Sequence, residues 1–120
     1  MLIKIECGKV NFIDRNDTFI GYDTRTLCCE YADWFLSYKK DKKLTESDMR
    51  GDWTPQKDLD VSGYCFDTGY FEEYDYRVQF RMKKKGAPNI YLNLFNCHNG
   101  YYYHGFTAQV NGEIWEQDVI

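Results

Sequence analysis

Both histidines of the chain and one of its five cysteines fall in one short stretch, as Cys97, His98 and His104. A thiol facing an imidazole can lose its proton to it and become a nucleophile. Cys97 and His104 are therefore the candidate catalytic pair of a small thiol enzyme. No known nucleophile motif surrounds Cys97, and it does not open a helix, so this is the alternative reading. The same residues with Cys28-Cys29 raise the question of a metal. Zinc sites draw two ligands from a Cys-x2-4-Cys loop, whereas adjacent cysteines on a helix point about 100° apart. No metal and no cofactor are expected. The cysteine count is odd, so free thiols buried as small hydrophobes are expected. No glycine-rich phosphate loop, serine elbow or His-Glu-x-x-His is present. Glu72, Glu73 and Asp75 read as a solvated rim.

The candidate pair must be positioned by a hairpin. Asn99-Gly100 is a strong signal for a two-residue type I′ turn. With that turn, Phe95 faces His104 and Asn93 faces Phe106. Alternation then sorts the stretch onto two faces. One carries Tyr91, Asn93, Phe95, Cys97, Tyr102, His104 and Phe106, and the other Ile90, Leu92 and Leu94. A second Asn-Gly, Asn111-Gly112, folds Ile114-Trp115-Glu116 back onto Thr107-Ala108-Gln109. Trp115 joins the aromatic face and Ile114 the aliphatic one. The last third of the chain thus reads as a three-stranded meander. Its aliphatic face is expected to meet the core. Its aromatic face, with Tyr91, Phe95, Tyr102, His104, Phe106 and Trp115, is the candidate binding surface.

Upstream, Lys9 to Ile13 and Thr18 to Tyr22 flank the turn-forming Asp14-Arg15-Asn16-Asp17, so the chain opens with a β-hairpin. Leu27, Tyr31, Trp34, Phe35 and Tyr38 recur at one helical face, which predicts a helix over Thr24 to Tyr38 whose main body is Cys28 to Tyr38. Asp41 to Leu59 is polar and reads as a long surface loop pinned by Trp53. Val61 to Asp67 reads as a strand and Thr68-Gly69 as a turn. Tyr76 to Met82 alternates as a half-buried strand, with Tyr76, Val78, Phe80 and Met82 on one face and Arg77, Gln79 and Arg81 on the other. The expected fold is α+β: one domain over residues 1–120, a twisted antiparallel sheet with a C-terminal three-stranded meander, and one main α-helix packed on it.

Aromatic residues make up 18% of the 120-residue chain, weighted to tyrosine. Tyrosine is rigid and amphipathic, suited to half-exposed sheet faces and interfaces. The net charge is −4, which argues against nucleic acid as a partner. Arg77, Arg81, Lys83, Lys84 and Lys85 form a local basic exception, read as a solvated strand face and a loop whose lysines block edge pairing. No apolar run approaches a membrane span, and the alternation Leu2, Ile3, Lys4, Ile5, Glu6 is not that of a signal peptide. A cytoplasmic location is expected.

Cys28-Cys29-Glu30, Trp34 after it and the late Asn99-Gly100-Tyr101-Tyr102 together resemble a family of short bacterial and phage-encoded domains with no assigned activity. The resemblance covers the expected helix and the meander. It transfers no catalytic residue. What it implies is context, since small phage-borne proteins often act by binding and blocking a host factor. The expected function is that of a non-enzymatic binding protein, an inhibitor of a host defence component acting in the host cytoplasm through its aromatic surface. Its partner is then a host protein, and it is a monomer or homodimer. The alternatives are the Cys97/His104 enzyme and a module that holds a nucleotide or small ligand between tyrosines.

Overall fold

The computed structural model describes residues 1–25, 30–40, 54–98 and 103–120. Among them are nine strands: β1 Leu2–Glu6, β2 Lys9–Ile13, β3 Thr18–Asp23, β4 Glu30–Ser37, β5 Cys65–Tyr74, β6 Arg77–Lys83, β7 Ile90–His98, β8 Gly105–Val110 and β9 Glu113–Val119. They form two antiparallel sheets, one of five strands in the order β1-β2-β3-β8-β9 and one of four in the order β4-β7-β6-β5. The described residues contain no helix, and none is long and apolar enough to cross a membrane. The fold is all-β, not α+β.

The first correction concerns Thr24 to Tyr38. Where a helix is expected, Glu30–Ser37 pairs with β7 over its whole length, from Glu30↔His98 to Ser37↔Tyr91. Ala32, Trp34 and Leu36 face the core between the sheets, and Phe35 on the opposite face is fully buried as well. A strand buried on both faces loses its polar alternation and reads as an apolar run. Leu27 and Cys28-Cys29 lie outside the described residues.

The second correction concerns the meander. β8 and β9 form its second hairpin, closed by Asn111 and Gly112 with φ of 53° and 81°, as a type I′ turn requires. β7, however, pairs with β4 and β6 in the other sheet. The chain changes sheets between β7 and β8, so Phe95 does not face His104 and Asn93 does not face Phe106. Asn99-Gly100 lies outside the described residues. The aliphatic face Ile90, Leu92 and Leu94 is fully buried, covered by the five-stranded sheet in place of a helix. Ile114 does not join it and is 59% exposed.

The core lies between the two sheets. Val10, Phe12, Ile20, Tyr22, Phe106 and Ala108 of one meet Trp34, Val78, Phe80, Met82, Leu92 and Leu94 of the other. Phe12 meets Trp34 edge-on with centroids 5.1 Å apart, a geometry worth about 1 kcal/mol beyond area burial. The N-terminal hairpin forms where its sequence predicts. Asp14, itself buried, accepts from the Asn16 and Thr18 amides with Oδ1 and from the Phe66 amide with Oδ2. One carboxylate thereby shapes the β2–β3 turn and fastens it to β5. Thr68-Gly69 does not end a strand; β5 runs on to Tyr74 through a bulge between Phe66 and Phe71.

Candidate functional site

The expected site residues fall into separate places. Tyr91 and Phe95 lie on the outer face of the four-stranded sheet, both buried, with Cys97 beside them. Phe95 stacks on Tyr31 at 5.4 Å, and Tyr91 meets Tyr70 edge-on. Phe106 and Trp115 point the other way, into the core, where both rings pack on Phe80. His104 precedes β8 and is 2% exposed. Its Nδ1 lies 2.7 Å from the main-chain carbonyl oxygen of Asp23, which can only accept, so Nδ1 carries the proton. Its amide and carbonyl pair with those of Ile120. Tyr102 lies outside the described residues. Cys97 and His104 sit on different sheets, and the Cys97 residue is 5% exposed. Among the described residues no three His, Cys, Asp or Glu side chains converge as a metal site needs.

The outer face of the four-stranded sheet is a buried polar network. Tyr70 donates its hydroxyl to Gln79 Oε1 at 2.6 Å; Gln79 Nε2 donates to Asn93 Oδ1 and to the Lys40 carbonyl; Arg77 Nη1 reaches the same Asn93 oxygen. Arg81 donates twice to Asp67 and lies over the Tyr70 ring. The hydrogen bonds from Arg81 hold the Asp67 carboxyl below its usual range and raise the guanidinium above its own. Burial lowers Arg77 and raises Tyr70. The basic residues Arg77 and Arg81 are thus not a solvated face. They are the cationic half of a sheet-bracing network and do not offer a phosphate-binding surface.

The outer face of the five-stranded sheet is different. Its register places Leu2 beside Ile13, Ile13 beside Phe19, Phe19 beside Gln109 and Gln109 beside Ile114. One row crosses all five strands, apolar at four of its five positions. Leu2 is 52% and Ile114 59% exposed; Ile13 and Phe19 are half-buried. The next row is Lys4, Asn11, Gly21, Thr107 and Gln117. Gly21 leaves a dip there, an open groove of about 550 Å3 lined by Lys9, Phe19, Gly21, Asp23, Thr107 and Gln109. Phe19 overhangs it, since a Cβ on Gly21 would stand 3.1 Å from two of its ring carbons.

The chain matches no family model, no curated protein and no solved structure. The site is therefore defined by its geometry alone. Sequence reasoning missed the row because its members lie in separate strands. Each looks like an ordinary strand residue until the pairing register aligns them. The one local signal is Phe12-Ile13 and Phe19-Ile20, where two adjacent apolar residues must point to opposite faces of a strand.

Proposed function

We propose that the chain is a non-enzymatic binding protein that contacts another protein through the outer face of its five-stranded sheet. The apolar row from Leu2 to Ile114 carries this reading. An antiparallel sheet with one solvated face keeps that face polar, and apolar side chains aligned across it, Leu2, Ile13 and Phe19 in succession and Ile114 beyond Gln109, mark a contact surface. Apolar side chains at its centre and polar ones such as Lys4, Asn11 and Gln117 beside it match the anatomy of a protein interface. The thiol-enzyme alternative has less support, because Cys97 is buried and the His104 imidazole is committed on the other sheet. The ligand-holding alternative has less support as well, since Tyr70 and Tyr91 pack on each other within the buried network. The narrower reading is a phage-encoded inhibitor of a host defence component, working in the host cytoplasm. It rests on the resemblance of Cys28-Cys29-Glu30 and Asn99-Gly100-Tyr101-Tyr102.

The test is affinity capture from bacterial lysate with the wild-type chain and with Ile114→Lys and Phe19→Ala. The wild type should retain a defined host protein. Phe19→Ala, at the centre of the row, should bind it at least ~30-fold more weakly, the loss of about 2 kcal/mol typical of a central apolar contact, and Ile114→Lys, which sets a charge at the end of the row, should weaken it as well. The melting temperature of Ile114→Lys should stay unchanged, because Ile114 is exposed. Undiminished capture by both variants would remove the row from the interface.

A further inference from the structure

Buried polar atoms are almost always hydrogen-bonded, and each exception asks for a cause. The outer face of the five-stranded sheet holds one. Asn11 Oδ1 is buried and accepts no hydrogen bond among the described residues. It stands 3.0 Å from where a Cβ on Gly21 would lie, and the Phe19 ring edge stands 3.1 Å from the same point. The oxygen therefore hangs at the dip that Gly21 leaves beside Asn11, next to a ring that is itself only half-buried. An amide oxygen closed to water and without a donor weakens the fold until a donor enters.

We infer that this dip is the seat of a tryptophan side chain of the partner protein, whose indole N–H donates to Asn11 Oδ1. The inference rests on the outer face being the contact surface. Three features select indole. Gly21 presents bare backbone, so a flat ring can lie close to the strand. Phe19 offers an edge-on neighbour, and Lys9, on the wall of the groove, can set its ammonium over the ring face. The chain already houses an indole in this way: Trp34 meets Phe12 edge-on at 5.1 Å and lies under the Lys57 ammonium at 5.1 Å. The third feature is the acceptor. The indole nitrogen only donates, as a lone amide oxygen needs, whereas a carboxylate in its place would set acceptor against acceptor. On entry the indole turns the Phe19 edge aside, and the ring remains as its wall. Aromatic anchors of this kind, seated in a pocket beside an apolar strip, carry most of the energy of a protein contact.

The test uses N-acetyl-tryptophanamide and its N-methylindole counterpart, titrated into the isotope-labelled chain and followed by nuclear magnetic resonance. The amide signals of Gly21 and Thr107 should shift with the first probe at millimolar concentration. The second lacks the donor and should bind at least ~10-fold more weakly, the value of about one hydrogen bond. Asn11→Leu keeps the shape of the side chain without the acceptor. It should bind both probes equally weakly and melt no lower than the wild type, because an apolar group of the same shape needs no donor. Equal affinity of the wild type for the two probes, or a preference that persists in Asn11→Leu, would overturn the donated bond. No shift at Gly21 and Thr107 would overturn the site. The two probes compared on the wild type decide the question even where the variant is unstable. Neither probe needs the host protein, so host capture that depends on Phe19 without any indole binding would sink this inference alone. Indole binding with no host protein captured would instead remove the wider reading and leave the indole site standing.

Discussion

Tyr22 of β3 donates its hydroxyl hydrogen to the main-chain carbonyl of Phe95 in β7 across the sandwich, at 2.7 Å. Neither residue is more than 1% exposed. The bond ties the five-stranded sheet to a central strand of the four-stranded one. Tyr22→Phe keeps the ring and removes only this donor. It should lower unfolding free energy by about 1 kcal/mol, the net value of a buried hydrogen bond. Urea denaturation of the two proteins checks it; equal midpoints would mean that water or another donor takes the carbonyl.

That cross-sheet bond also shows what the sequence could and could not reveal. Tyr22 was legible as an alternating strand residue of the first hairpin, and the Asp14 to Asp17 turn was legible from its residue types. Val78, Phe80 and Met82 face the core as their alternation predicts, whereas Tyr76, expected on the same face, precedes β6 with φ of 67° and is 41% exposed. The second hairpin followed from Asn111-Gly112, where local turn chemistry alone decides. What failed was non-local. Tyr31, Trp34 and Phe35 fit a helical face because both faces of β4 are buried, and burial on both sides erases the period that separates strand from helix. Phe95 and His104 were placed opposite each other because a short Asn-Gly connection predicts pairing, and no local signal says that the chain changes sheets. Arg77 and Gln79 looked solvated because their types are polar; their burial depends on Asn93 and Tyr70 arriving from other strands.

Asp67 should govern part of the acid stability. Its Oδ2 accepts from Arg81 Nε at 3.0 Å and Nη2 at 2.6 Å, and Lys83 stands 3.4 Å away. The folded carboxyl titrates below its ordinary value, chiefly through the Arg81 hydrogen bonds. A lowered carboxyl stabilises the fold fully above the unfolded value near 3.9, and that contribution is lost as the pH falls through the folded value. Asp67→Asn should therefore be less stable than wild type at pH 7 by about 1–2 kcal/mol. The difference should begin to shrink below about pH 4, where the carboxyl of the unfolded chain protonates, and go on shrinking as the pH falls towards the lowered folded value. Urea denaturation of both proteins from pH 7 to pH 3 measures it; a pH-independent gap would show that the charge on Asp67 contributes nothing.

The candidate site depends on an absent side chain. Gly21 sits on the outer face of β3 between Asn11 and Thr107, and a Cβ there would stand 3.0 Å from Asn11 Oδ1 and 3.1 Å from the Phe19 ring. Its backbone does not need glycine's freedom, so the constraint is purely steric. Gly21→Ala should displace Phe19 and part-fill the groove, destabilising the fold by about 1–3 kcal/mol as overpacking does. The ring is partly open to solvent and can give way, so the lower end of that range is expected. Phe19→Leu shortens the side chain that overhangs Gly21 and should make the alanine tolerable. In a cycle of wild type, both single variants and the double variant, the Gly21→Ala penalty should fall by at least about 0.5 kcal/mol when Phe19→Leu is also present, the size expected for residues in contact. Additive urea midpoints would show that the penalty comes from the Asn11 side instead. A positive cycle places Phe19 as the ring that shapes both the groove and the centre of the apolar row, so that Gly21→Ala would weaken partner capture together with Phe19→Ala.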